Sequence, residues 1–149
     1  MSDTINLLKE CDAGIKMGIE AIDEVISHVK DEEFKSKLIN YKKDYNFLQD
    51  EIQKMLDGFH KEGKDINPIV VGMSKMKTGL KIAMNETDAT IADLMTDGCN
   101  MGVKSLHKYL NEYKGASDDS KELAKKLIRL MDRQEFDIRK YSFPPSRKL

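Results

Sequence analysis

For metal, acid–base or thiol chemistry, the 149-residue chain has three histidines, two cysteines and 26 acidic residues. The most demanding chemistry a helical chain could build from them is a carboxylate-bridged dimetal centre. That centre takes a glutamate from each of two helices and a Glu-x-x-His pair from each of the other two, all pointing inward. The last helical stretch holds no histidine, and Glu135 is followed three residues later by Ile138. Asp57-x-x-His60 lies at a fraying helix end with Asp57 off the apolar seam, and His28 and His107 fall near helix ends. Asp12 and Glu135 interrupt their own apolar stripes at heights that differ by about 14 Å along a bundle. Metals of one site sit about 3.5–4 Å apart, so a dimetal centre of this type is not expected.

A smaller site remains open. If the first two helices pair antiparallel about the 30–31 turn, Asp12 comes level with Gln49, and Glu51 lies about half a turn away. Asp12 and Glu51 are therefore the candidate ligands for a divalent cation such as iron, manganese or zinc. The plainer reading has Asp12 bonded to Gln49 or to a lysine at the bundle rim, because charges on a seam are usually paired or at its edge. Gln134 and Glu135 read as helix-end polar residues. No cofactor is called for. Cys11 and Cys99 have no histidine at nucleophile spacing and read as small, reduced core fillers. Tyr41, Tyr45, Tyr109 and Tyr113 lie on apolar stripes, with hydroxyls expected at the edge. The methionines, Met73 and Met76 among them, fall at helical spacing and read as core or interface.

The elements that must carry these residues are helices. The organising stretch is 34–59, where Phe34, Leu38, Tyr41, Tyr45, Leu48, Ile52, Met55 and Phe59 step by four and three, with charge between them. That spacing predicts one buried seam. The first helix is expected over 4–29, with Asp12 on its stripe and Gly18 admitting a neighbour closely, and the second over 32–60. Asn67 and Pro68 start a connecting helix over 68–84. The third helix, 87–113, carries Ile91, Leu94, Met95, Gly98, Met101, Gly102, Leu106, Tyr109 and Tyr113. Gly98 and Gly102, four residues apart, predict close contact with the first helix or with a second subunit. Ser117 caps the fourth helix, 118–141, and Pro144-Pro145 makes 142–149 a tail.

Few prolines, no tryptophan and strong amphipathic patterning predict an all-α chain. Residues 1–141 are expected to form a single four-helix domain. A helical connector spanning about 27 Å would return the chain along the bundle and leave the second and third helices parallel. This is the ferritin-like, up-down-down-up topology with a helical crossover. The alternative, one rod over 68–113, would make an extended dimer. With a net charge of −1 and interleaved signs, nothing points to nucleic acid or an anionic membrane. No apolar stretch approaches spanning length and no leader pattern opens the chain, so the cytoplasm is the expected address.

The run Cys11-Asp12-Ala13-Gly14-Ile15-Lys16-Met17-Gly18-Ile19-Glu20-Ala21-Ile22, the link Lys30-Asp31-Glu32-Glu33-Phe34-Lys35 and the segment Asp97-Gly98-Cys99-Asn100-Met101-Gly102-Val103 resemble a bacterial family. That family is a ferritin-like four-helix-bundle group of unknown function, common in spore-forming anaerobes. The resemblance implies the fold and no reaction. The functional expectation is a non-catalytic structural or interaction module forming a homodimer, with the connector (Ile69, Val70, Val71, Met73 and Met76) as interface. The alternative is a degenerate ferritin-like protein that handles metal or electrons.

Overall fold

The computed structural model describes residues 2–61 and 87–142, with the side chains of 60 and 61 left aside. Its elements are α1 (Ser2–Val25), α2 (Glu32–Lys61), α3 (Asp88–Glu112) and α4 (Asp118–Ile138), followed by one 3-10 turn, Arg139–Ser142. Among the described residues there is no strand, and no helix is long and apolar enough to cross a membrane. The expected connecting helix over 68–84, with Met73 and Met76, lies outside the described residues, as does most of the tail.

Local chemistry sets the helix ends. Thr87 caps α3 by accepting from the Thr90 amide at 3.2 Å, and Ser117 caps α4 through the Ser120 amide at 3.2 Å. Asp31 accepts from the Phe34 amide at 2.9 Å to start α2. The first helix ends at Val25, not at 29 as expected. Adjacent helices pack about 8–10 Å apart, so a two-residue link leaves little slack for the reversal. The last turn unwinds, with the His28 amide reaching back only to the Val25 carbonyl at 2.8 Å, while Val29 stays buried.

The buried side chains form one cluster that draws on all four helices. Within it α1 and α4 each pack against the other three helices, and α2 and α3 each pack against α1 and α4. The α2 seam is buried from Phe34 through Ile52, after which Leu56 takes the core position and Met55 and Phe59 become half-buried. A seven-residue pattern drifts about 20° per heptad against a 3.6-residue helix, which accounts for the shift from 55 to 56.

The inward row of α3 is Ile91, Met95, Cys99, Gly102, Leu106 and Tyr109. This corrects the expected stripe: Leu94 is half-buried, and Gly98 and Met101 are exposed. Steps of three and four permit both rows, and the one that includes Cys99 stays closer to 100° per residue.

Each end of the bundle is clasped by a carboxylate. Asp88, in the first turn of α3, accepts from the backbone amides of Lys30 and Asp31 at 2.9 and 2.8 Å. At the other end Asp3 accepts from the Gly115 amide at 2.9 Å, and the Thr4 hydroxyl accepts from the Ser117 amide at 2.8 Å. The start of α1 therefore sits on the α3–α4 turn, and the α1–α2 turn sits on the start of α3. Beside the second contact Tyr141 stacks on Phe34, with ring centroids 4.6 Å apart.

Candidate functional site

The candidate ligands Asp12 and Glu51 face different neighbours. Asp12 is buried at the α1–α2 contact, where its Oδ1 accepts from Gln53 at 3.0 Å and Gln49 at 3.4 Å. Its Oδ2 pairs with Lys16, one turn along the same helix, at 2.9 Å. Glu51 pairs with Lys126 of α4 at 3.5 Å. The reason is angular: residues 49 and 53 share one side of α2, and residue 51 stands about 200° from each. The structure thus corrects the pairing of Asp12 with Glu51, and supports the reading in which Asp12 meets Gln49 and a lysine. Among the described residues no three His, Cys, Asp or Glu side chains gather as a metal-binding group.

Among the described residues, one hydrogen bond between two almost fully buried side chains is a contact that sequence reasoning did not find. Tyr45, in the middle of the α2 seam and 1% exposed, donates from its hydroxyl to Gln134 Oε1 at 2.5 Å. Gln134 is 2% exposed, which corrects its reading as a helix-end residue. Gly18 lies against the ring: a Cβ there would stand 3.4 Å from Tyr45 Cζ, at ordinary van der Waals contact. One turn nearer the start of α2, the Tyr41 hydroxyl donates to Asp137, and Arg133 lies over the Tyr41 ring at 5.9 Å. The tyrosine hydroxyls of α2 are therefore spent on α4. Glu135 points away from this pair, to Arg139 at 2.7 Å.

Burial dominates the electrostatics of this layer. It pushes the Tyr45 hydroxyl well above its ordinary range, and electrostatic interaction with Cys99, Tyr41 and Asp44 adds to the shift. The Cys99 thiol is pushed up to about 12 by burial, with Glu135 and Asp132 adding to it. Cys11 likewise rises to about 12, first through burial and then through Glu10 and Asp12. A thiol is nucleophilic as its thiolate, so both cysteines are inert near neutral pH. Among the described residues Glu10 is the most buried carboxylate, at 2% exposure; the reading of the sequence passed over it. Its charge adds to the burial that raises the Tyr109 hydroxyl.

The two glycines of α3 separate. Gly102 is buried, and a Cβ there would fall 2.8 Å from Sδ at the flexible end of Met131, so this α4 side chain packs directly over the glycine. Gly98 is exposed, with nothing within 4 Å of a Cβ. Its reading as a residue of close helix contact within the chain is thereby corrected, and the neighbour at Gly102 is α4, not α1. Comparison with protein-family models, with curated proteins and with solved structures gives no significant match.

Proposed function

We propose that this chain is a non-catalytic, ferritin-like bundle that works by self-association and protein contact. One observation carries the reading. The centre of the bundle, where a catalytic four-helix protein would gather inward carboxylates and histidines, is filled by the neutral Tyr45–Gln134 pair against Gly18. Burial holds the Tyr45 hydroxyl and the neighbouring Cys99 thiol in their protonated, neutral forms near pH 7, so neither is poised for acid–base work. The up-down-down-up topology is part of the proposal. It is supported by the clasp of Asp88 on the α1–α2 turn and of Asp3 and Thr4 on the α3–α4 turn. Those contacts argue that α1 and α4 run one way, and α2 and α3 the other. The family resemblance of 11–22, 30–35 and 97–103 is consistent with the same fold. A cytoplasmic address, where thiols stay reduced, is in keeping with two buried, unpaired cysteines.

Elemental analysis of protein purified without chelators tests the non-catalytic reading. Less than about one-tenth of an equivalent of any transition metal is expected. Stoichiometric iron, manganese or zinc, lost on Asp12→Ala or Glu51→Ala, would replace the proposal with a metal-handling role.

A further inference from the structure

We propose that the groove between α2 and α4 mates with the same groove of a second copy, about a twofold axis parallel to the helices. This rests on the self-association reading above and adds the surface, the geometry and the anchor. The groove is open to solvent and offers about 310 Å³, and Phe47, one of its lining residues, is 70% exposed. Leu48 and Leu130 form its apolar floor, and its two walls carry opposite charges. On the α2 wall stand Asp44 and Glu51; on the α4 wall stand Lys126, Arg129 and Arg133.

The heights of these charges select the symmetry. Within the chain Asp44 is level with Arg133, at 3.6 Å, and Glu51 is level with Lys126, at 3.5 Å. All four side chains keep a third or more of their surface exposed, and exposed pairs of this kind contribute little to a monomer. A twofold along the helices lays α2 against the partner's α4 without changing any height. Asp44 then faces the partner's Arg133, and Glu51 faces the partner's Lys126. A twofold across the helices instead lays α2 on the partner's α2, acid wall against acid wall, and basic wall against basic wall. Like-charge juxtaposition of that kind is how interfaces reject a wrong geometry.

Phe47 lies between Asp44 and Glu51 in sequence, so the favoured geometry sets its ring over the partner's Arg129 and Leu130. An aromatic ring under a guanidinium, ringed by exchangeable ion pairs, has the composition of an interface hot spot. Because the contact is isologous, the ring is buried twice.

Sedimentation equilibrium on the full chain is the first test. The wild type is expected to dimerise, and Phe47→Glu to weaken the dimer by roughly 30-fold or more with unchanged circular dichroism. Asp44→Lys/Glu51→Lys chains and Lys126→Glu/Arg133→Glu chains should each be monomeric alone and form a one-to-one dimer when mixed. A wild type that stays monomeric throughout the concentration range overturns the self-association reading, and the groove with it. A wild-type dimer that survives Phe47→Glu and both charge variants overturns the groove alone. For the symmetry, Asp44→Cys chains should form a disulfide with Arg133→Cys chains, and not with one another. Self-linking of Asp44→Cys would refute the parallel axis.

Discussion

Replacing Tyr45 by phenylalanine removes one oxygen from the centre of the bundle. The ring keeps its place against Gly18, where the spacing to an added Cβ would be 3.4 Å, so packing is nearly preserved. What changes is Gln134, whose Oε1 loses the hydroxyl it accepts from at 2.5 Å while its side chain remains 2% exposed. A buried polar group left without a partner costs about 1–3 kcal/mol. A domain of this size loses about 2–4 °C of melting temperature per kcal/mol, so a fall of roughly 5 °C is expected. Gln134→Met should cost a similar amount, because it strands the Tyr45 hydroxyl instead. The double variant replaces both partners by apolar groups of similar shape and should recover most of the loss, since such replacements are often near neutral. Urea unfolding of the four proteins at neutral pH closes this cycle. A coupling energy of about 1 kcal/mol or more is expected. If Tyr45→Phe unfolds at the wild-type midpoint, or the two losses simply add, the pair is not the buried, mutually dependent contact described above.

The glycines of α3 should respond in opposite directions. Gly98→Ala, in open space, should stabilise by about 1 kcal/mol through helix propensity, whereas Gly102→Leu should destabilise by about 1–3 kcal/mol through overpacking against Met131; melts that shift the same way would refute the assignment. Stability should also fall at alkaline pH. Cys11 and Cys99 have thiols raised to about 12 in the fold, against about 8.5 in an unfolded chain, and the raised Tyr45 hydroxyl acts in the same sense. Above the unfolded thiol value the folded state holds more protons than the unfolded state. The contribution is therefore whole below about pH 8.5 and drains away as pH rises toward 12. Urea midpoints measured from pH 7.5 to 11 should decline, and decline less in Cys11→Ala/Cys99→Ala; a flat or rising wild-type profile would count against this burial.

Much of this arrangement can be read directly from spacing, and the parts that cannot share a physical cause. Caps such as Ser117, Thr87 and Asp31 act within a few residues, so their meaning is local and the sequence carries it. The α1–α2 hairpin is nearly local too: one short turn sets its register, which is why Asp12 could be placed beside Gln49. The third and fourth helices meet α2 and α1 only after long excursions of chain, and no turn encodes those registers. Gln134 then looks like a polar interruption at a helix end, when it is the acceptor for a buried hydroxyl. A usable signal was present. Tyr41 and Tyr45 stand one turn apart on the α2 seam, and Gln134 and Asp137 stand one turn apart on α4. Two buried hydroxyls need two acceptors, and matching the pairs antiparallel gives Tyr45 with Gln134 and Tyr41 with Asp137, as the structure has them. The same matching sets Asp44 by Arg133 and Glu51 by Lys126. The buried ladder that fixes α2 on α4 therefore also fixes the heights of the charges outside it. A polar register chosen for the core would in this way dictate the symmetry with which two copies can meet.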